Sequence, residues 1–136
     1  MRVVADTNIY ISAFLFGGLP RVFLDRGFAG AFALVTSGAL LDELDEKLSG
    51  KFAVPESKAL AFLSQLKRKA IIVNPSFVLD AVSDDPDDNR VLECAIAGKA
   101  NCIVSGDRHL MRLGSYEGIA ILKVRNFLET ARFRIE

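Results

Sequence analysis

The 136-residue sequence has no tryptophan, one histidine and two cysteines. A single histidine leaves no second base for a Ser-His-Asp triad and too few ligands for a zinc protease. Cys94 falls in a helical pattern and Cys102 in an apolar strand pattern, and their spacing matches no zinc motif, so both read as reduced core residues. Charge of one sign is missing too. Seventeen Lys+Arg against seventeen Asp+Glu give a formal net charge of zero, which excludes a polybasic nucleic-acid coat and an acidic tail. The longest apolar run, around residues 9–16, is too short and too interrupted for a membrane span or a signal core. A cytoplasmic protein without membrane association is therefore expected. Internal repeats, low-complexity stretches and interdomain linkers are also absent. What is present is an apolar chain, 51% hydrophobic with ten phenylalanines, which predicts one domain over residues 1–136 with a substantial core.

The most informative stretch is residues 83–110, SDDPDDNRVLECAIAGKANCIVSGDRHL. Pro86 suits a first helical turn, and Asp84, Asp85 and Asp87 suit its cap and dipole. Val91, Leu92, Ala95 and Ile96 recur at helical spacing until Gly98 stops the helix. Asp88 breaks the pattern. It lies three and four positions before Val91 and Leu92, on the apolar face, where an unpaired carboxylate is expensive. A short apolar strand over residues 101–104 then ends in Ser105-Gly106-Asp107, and Leu110 and Met111 stand to Asp107 as Val91 and Leu92 stand to Asp88.

Elsewhere strands and helices alternate. A β-branched strand over residues 2–5 ends in Asp6-Thr7-Asn8, ahead of the apolar segment 9–16 that Gly17-Gly18 breaks. Helices are expected from Pro20 to about Phe28, from a Ser37 cap to Leu48, and from Pro55 to Lys67-Arg68-Lys69. Strands are expected over residues 32–36, 70–73 and 118–122, a loop over 50–54, and a final amphipathic helix over 125–133. The connection 74–83 has no periodicity, although Phe77, Val78 and Leu79 suggest that it packs down. This alternation predicts an α/β protein, a three-layer α/β/α sandwich with a mostly parallel central sheet.

Ligands in such sheets bind beyond the carboxyl ends of the strands, where Asp6 and Asp107 fall and Asp88 can join them. Glu43 and Asp45 both flank the stripe Leu40, Leu41, Leu44 and Leu48, and periodicity does not choose between them. Converging carboxylates repel one another and raise their own pKa values unless a cation neutralises them. An all-oxygen set favours Mg²⁺ or Mn²⁺ over zinc, and such an ion, by activating water and polarising phosphate, suits phosphodiester hydrolysis.

Four motifs now stand in order: Asp6-Thr7-Asn8, Ser37 with Leu41-Asp42-Glu43-Leu44, Asp85-Pro86-Asp87-Asp88-Asn89, and Ile103-Val104-Ser105-Gly106-Asp107. In this order and spacing, over essentially the whole chain, they resemble the PIN-domain family. The resemblance extends to its VapC-like bacterial and archaeal members, toxins of toxin–antitoxin pairs. It implies a PIN-like fold and a Mg²⁺- or Mn²⁺-dependent endoribonuclease that cuts RNA with metal-activated water. It also implies a homodimer and an antitoxin partner whose tail inhibits the site. Carried over, it makes Asp6, Glu43, Asp88 and Asp107 the catalytic, metal-binding quartet, which selects Glu43 over Asp45, with Thr7, Asn8 and Ser105 as supporting polar residues. Ser105 stands where threonine is commoner, and the hydroxyl is kept.

Each reading has a rival. Asp6 and Asp107 could cap the helices that follow them, and Glu43 could be a solvated helix residue. His109, Arg108, Arg112, Lys123, Arg125, Arg132 and Arg134 read by default as surface. Tyr10, Phe14 and Phe16 read as core or dimer surface rather than base-stacking platforms. A phosphate-monoester hydrolase with Asp6 as nucleophile would want a second acid two residues on, where Asn8 stands, and a lysine partner that the sequence does not reveal. A non-catalytic module that binds RNA or protein is the other alternative.

Overall fold

The computed structural model describes residues 1–81 and 85–131. Its centre is β1 (Arg2–Ala5), whose Val3, Val4 and Ala5 are almost completely buried. A strand buried on both faces reads as continuously apolar; β4 (Cys102–Val104) repeats the pattern, and β2 (Ala33–Ser37) does so until its buried polar end, Thr36 and Ser37. With β3 (Ile71–Val73), β5 (Ser115–Tyr116) and β6 (Ile119–Leu122) they form one sheet in the order β3-β2-β1-β4-β6-β5. All neighbours pair in parallel except β5 and β6.

Alternate side chains enter two separate cores. Val3, Ala5, Leu34, Cys102 and Val104 pack with Ile9, Phe23, Leu44, Phe62, Leu66 and Phe127. That layer is built by α1 (Thr7–Leu15), α2 (Gly18–Phe28), α3 (Gly38–Glu46), α4 (Glu56–Lys69) and α7 (Val124–Ala131). Val4, Val35, Ile103 and Ile121 pack on the other face with Leu92, Cys94, Ala95 and Leu110, from α5 (Pro86–Ala97) and α6 (Arg108–Leu113). The expected three-layer sandwich with a mostly parallel sheet is the observed architecture. From β1 the chain moves to β2 and β3 on one side, and β4 begins the other side, so the topological switch lies between β1 and β4.

Several boundaries differ from expectation. The helix after Ser37 stops at Glu46 and continues as a π-helical turn, Lys47–Lys51, which takes residues 50 and 51 from the expected loop. Phe77 and Val78 do not pack down: they are exposed, Val78 to 80%, and only Leu79 of that trio joins a core. That connection is instead held by polar ties, the Leu79 N–H to Glu93 Oε2 at 2.7 Å and the Ala81 N–H to Asn89 Oδ1 at 2.9 Å. The short antiparallel β5 carries no sequence signal. The caps expected at Asp84, the arginines Arg132 and Arg134, and the helix end at Phe133 lie outside the described residues. Cys94 and Cys102 are buried and not joined in a disulfide, as expected. Tyr10 is core, Phe14 is half-buried against Phe62 with ring centroids 4.9 Å apart, and Phe16 is exposed. Among the described residues no single helix is long and apolar enough to cross a membrane; α1 and α2 would qualify only as a pair bent by 105°.

Candidate functional site

Asp6 leaves the end of β1 with its N–H bonded to the Val104 carbonyl at 3.0 Å, so the switch point itself fixes its backbone. It caps α1 by accepting from the Asn8 N–H, and the residue is only 5% exposed. Ser105, fully buried just past the end of β4, donates its hydroxyl to Asp6 Oδ2 at 3.0 Å and accepts the Asp107 N–H at 3.0 Å. One hydroxyl thus locks the ends of β1 and β4 to each other. Asp107 caps α6, accepting from the His109 and Leu110 N–H groups at 2.8 and 3.1 Å. The capping and site readings of Asp6 and Asp107 are therefore compatible in geometry.

Pro86 opens α5 and Asp85 caps it, accepting the Asp87 N–H at 3.0 Å. One turn on, Asp88 and Asn89 are buried with the apolar stripe. Carboxylate oxygens of Asp85, Asp88 and Asp107 all lie within 4.8 Å of one another. Asp6 and Glu43 stand beside this cluster rather than within it. Glu43 reaches the site from α3, where Ser37 accepts the Leu40 N–H as N-cap, and it receives the Thr7 hydroxyl, which also lies 3.5 Å from Asp6 Oδ1. Asp45 faces away, exposed, with Ser49 as its partner.

The electrostatics follow from this crowding. Burial, and then the proton it donates to Asp107, push Asp88 up to about 8. Burial would raise Asp107 as well, but the Asp88 hydrogen bond and the Leu110 and His109 N–H groups outweigh it and hold it below the usual carboxylate range. Burial raises Asp6 and Glu43; Ser105, Asn8 and Lys47 oppose the rise at Asp6, and Thr7 and Lys47 oppose it at Glu43. The pair Asp88 and Asp107 therefore shares one proton. Asp88 Oδ2 is buried and meets no hydrogen-bond donor among the described residues. An orphaned oxygen beside two more acidic side chains is what an oxygen-seeking divalent cation would satisfy, so the residues fit such an ion.

Two participants escaped the sequence reading. Asp85 was assigned only a cap, yet it also supplies an oxygen to the cluster. Lys47 was overlooked altogether; its Nζ lies 3.4 Å from Glu43 Oε2, Thr7 Oγ1 and Asn8 Oδ1. The spacing of Asp85 three before Asp88, and of Lys47 four after Glu43, was the available signal. Lys47 is also the lysine that the phosphate-monoester reading lacked. Asp6 remains a poor nucleophile for it, buried and with Oδ2 engaged by Ser105.

The PIN domain family model matches residues 2–109, from the start of β1 to the first turn of α6. The chain belongs to the PIN-domain family. Two solved structures share the PIN fold seen here. VapBC2 from Rickettsia felis, bound to a DNA fragment from their promoter, superposes with a TM-score of 0.66 at 16% identity, covering 89% of this chain and 97% of that one. PAE2754 from Pyrobaculum aerophilum superposes with a TM-score of 0.65 at 14% identity, covering 97% of this chain and 89% of that one. No curated protein matches the sequence. In this PIN domain the motif residues of all four segments gather at the β1/β4 switch point.

Proposed function

We propose that this PIN domain is a divalent-metal-dependent endoribonuclease, the toxin of a toxin–antitoxin pair. The observation that carries the reading is the buried Asp88, with an orphaned oxygen, held against Asp107 and Asp85 at the switch point of the sheet. We assign Asp6, Glu43, Asp88 and Asp107 as the metal-holding, catalytic set, with Asp85 able to add an oxygen, and Thr7, Asn8 and Ser105 as their supports. Mg²⁺ or Mn²⁺ held there supplies a Lewis acid for a phosphate oxygen and lowers the pKa of water. The chain's own contribution is placement. Ser105 fixes Asp6 relative to Asp107, Thr7 fixes Glu43 relative to Asp6, and the proton shared by Asp88 and Asp107 is the one that Asp88 would give up to hold a cation. These residues would then hold an attacking water in line with the scissile phosphorus, excluding bulk solvent on the buried side.

An antitoxin partner is part of the same reading, supported by the likeness to VapBC2. So is a homodimer acting in the cytoplasm, for which exposed Phe16, Leu19 and Val22 offer apolar surface.

The test is cleavage of a mixed cellular RNA pool with Mn²⁺ or Mg²⁺, with a chelator, and with Asp6→Asn and Asp88→Asn variants. Metal-dependent fragments should vanish in either variant while circular dichroism stays native. Full activity in a purified variant would remove that residue from the site. RNA binding without metal-stimulated turnover would instead favour the binding-module reading, and a phosphoenzyme trapped on Asp6 the monoesterase.

A further inference from the structure

We infer that Lys47 is a substrate-binding residue of this site, contacting a phosphate of the RNA strand beside the acidic cluster. The inference rests on the nuclease reading above and concerns how a polyanion tolerates so acidic a site.

As a mere helix-surface pair, Glu43 followed by Lys47 would contribute little and would leave the lysine pointing to water. Lys47 does otherwise. Its side chain is only 30% exposed, and it bridges two elements, reaching from the end of α3 to Thr7 and Asn8 in the first turn of α1. Its three acceptors all lie at 3.4 Å, longer than the roughly 2.7–3.2 Å of committed hydrogen bonds. The ammonium is thus drawn toward the acidic rim without being tied to any one partner.

Charge makes such a group necessary. Asp6, Glu43, Asp85, Asp88 and Asp107 remain net negative even with one divalent ion among them, and a phosphodiester approaching them would be repelled. Of the three ion pairs between described residues, Arg21–Asp25, Lys47–Glu43 and Arg90–Glu93, only Lys47–Glu43 includes a residue of the proposed quartet. The backbone changes at the same place. The Phe52 N–H bonds to the Lys47 carbonyl five residues back at 3.0 Å, opening the π-helical turn Lys47–Lys51, an irregularity that frequently accompanies functional positions.

The experiment compares wild type with Lys47→Met, Lys47→Gln and Lys47→Arg. A fluorescein-labelled single-stranded RNA of mixed sequence is titrated with Ca²⁺ in place of Mg²⁺ over a range of salt, and Mn²⁺ binding is followed by calorimetry. A lost phosphate contact should weaken RNA binding about fivefold to tenfold in the Met and Gln variants and lower the salt slope by about 0.7. Lys47→Arg should keep both. Mn²⁺ affinity should stay equal or tighten, since a neighbouring positive charge is gone. Unchanged RNA affinity and salt slope in the neutral variants would overturn the inference. So would a parallel fall in Mn²⁺ affinity, which would mean that Lys47 only holds the carboxylates in place. A wild-type protein with no metal-dependent cleavage would overturn the nuclease reading itself, and this inference with it.

Discussion

Asp88 is tolerated in the folded, metal-free chain only because it holds a proton. Its folded pKa of about 8 stands above the ordinary 3.8, so the folded state binds that proton more tightly than the unfolded chain does. The stability this supplies is full below pH 3.8 and is lost as the pH rises through about 8. Asp107, held low, has the opposite sign: its contribution is present above pH 3.8 and lost as the pH falls through its folded value. Asp88→Asn removes the first dependence. In chelator, the variant should melt higher than wild type at pH 8.5, and the gap should close as the pH falls toward 3.8, as read by thermal denaturation; parallel curves would contradict the shared proton. Mn²⁺ should raise the wild-type melting temperature at pH 8, with about 2.7 kcal/mol of added stability at a hundred times Kd, and the variant's far less. Asp88 was legible in the sequence because it violated an apolar stripe. Asp85 and Lys47 were not, because each has an adequate local role, as cap and as helix ion pair, and only the fold brings them to the site.

What holds Asp88 in place is the seating of α5 on the sheet. At its end, Gly98 is buried so closely that an added Cβ would lie 2.5 Å from Val35 Cγ1 and 3.1 Å from the Cys94 carbonyl. Val35 is fully buried in the middle of β2 and cannot move aside cheaply. Gly98→Ala should therefore cost about 1–3 kcal/mol, measured by urea denaturation, and Val35→Ala added to it should recover part of the loss rather than add its full cavity cost. A strictly additive double variant would show that the two do not touch. In the sequence Gly98 was read only as a helix stop; its close approach to β2 is a tertiary fact. The same distinction runs through the other elements. α4 and α5 were readable from Pro55, Pro86 and their apolar stripes, because caps and periodicity are local. The β5 strand and the π-helical turn were not, since one exists only through pairing with β6 and the other through packing of Leu48 beneath it. Phe77 and Val78 misled because apolar character was taken for burial, whereas the segment is held by Glu93 and Asn89.

The family match ends at residue 109, yet the sheet and both of its cores extend beyond it. β6 pairs in parallel with β4, covering the edge of the strand that leads into Ser105 and Asp107. α7 then returns Phe127, 1% exposed, to an aromatic trio with Phe23 and Phe32, whose ring centroids lie 5.4 and 5.0 Å from its own. Phe23 and Phe32 come from α2 and the approach to β2, so α7 ties the last part of the chain to the first. Phe127→Ala should cost about 3–5 kcal/mol, a large share of the 5–15 kcal/mol typical of a domain, and lower the melting temperature accordingly. The trio occupies the core of the sheet face opposite α5. At temperatures where the variant is still folded, its calorimetric Mn²⁺ affinity should therefore remain close to wild type. A small loss of stability would show that the first 109 residues already form a self-sufficient core. A large loss accompanied by collapsed metal affinity would show instead that the aromatic face and the acidic site unfold as one unit with no separable layers.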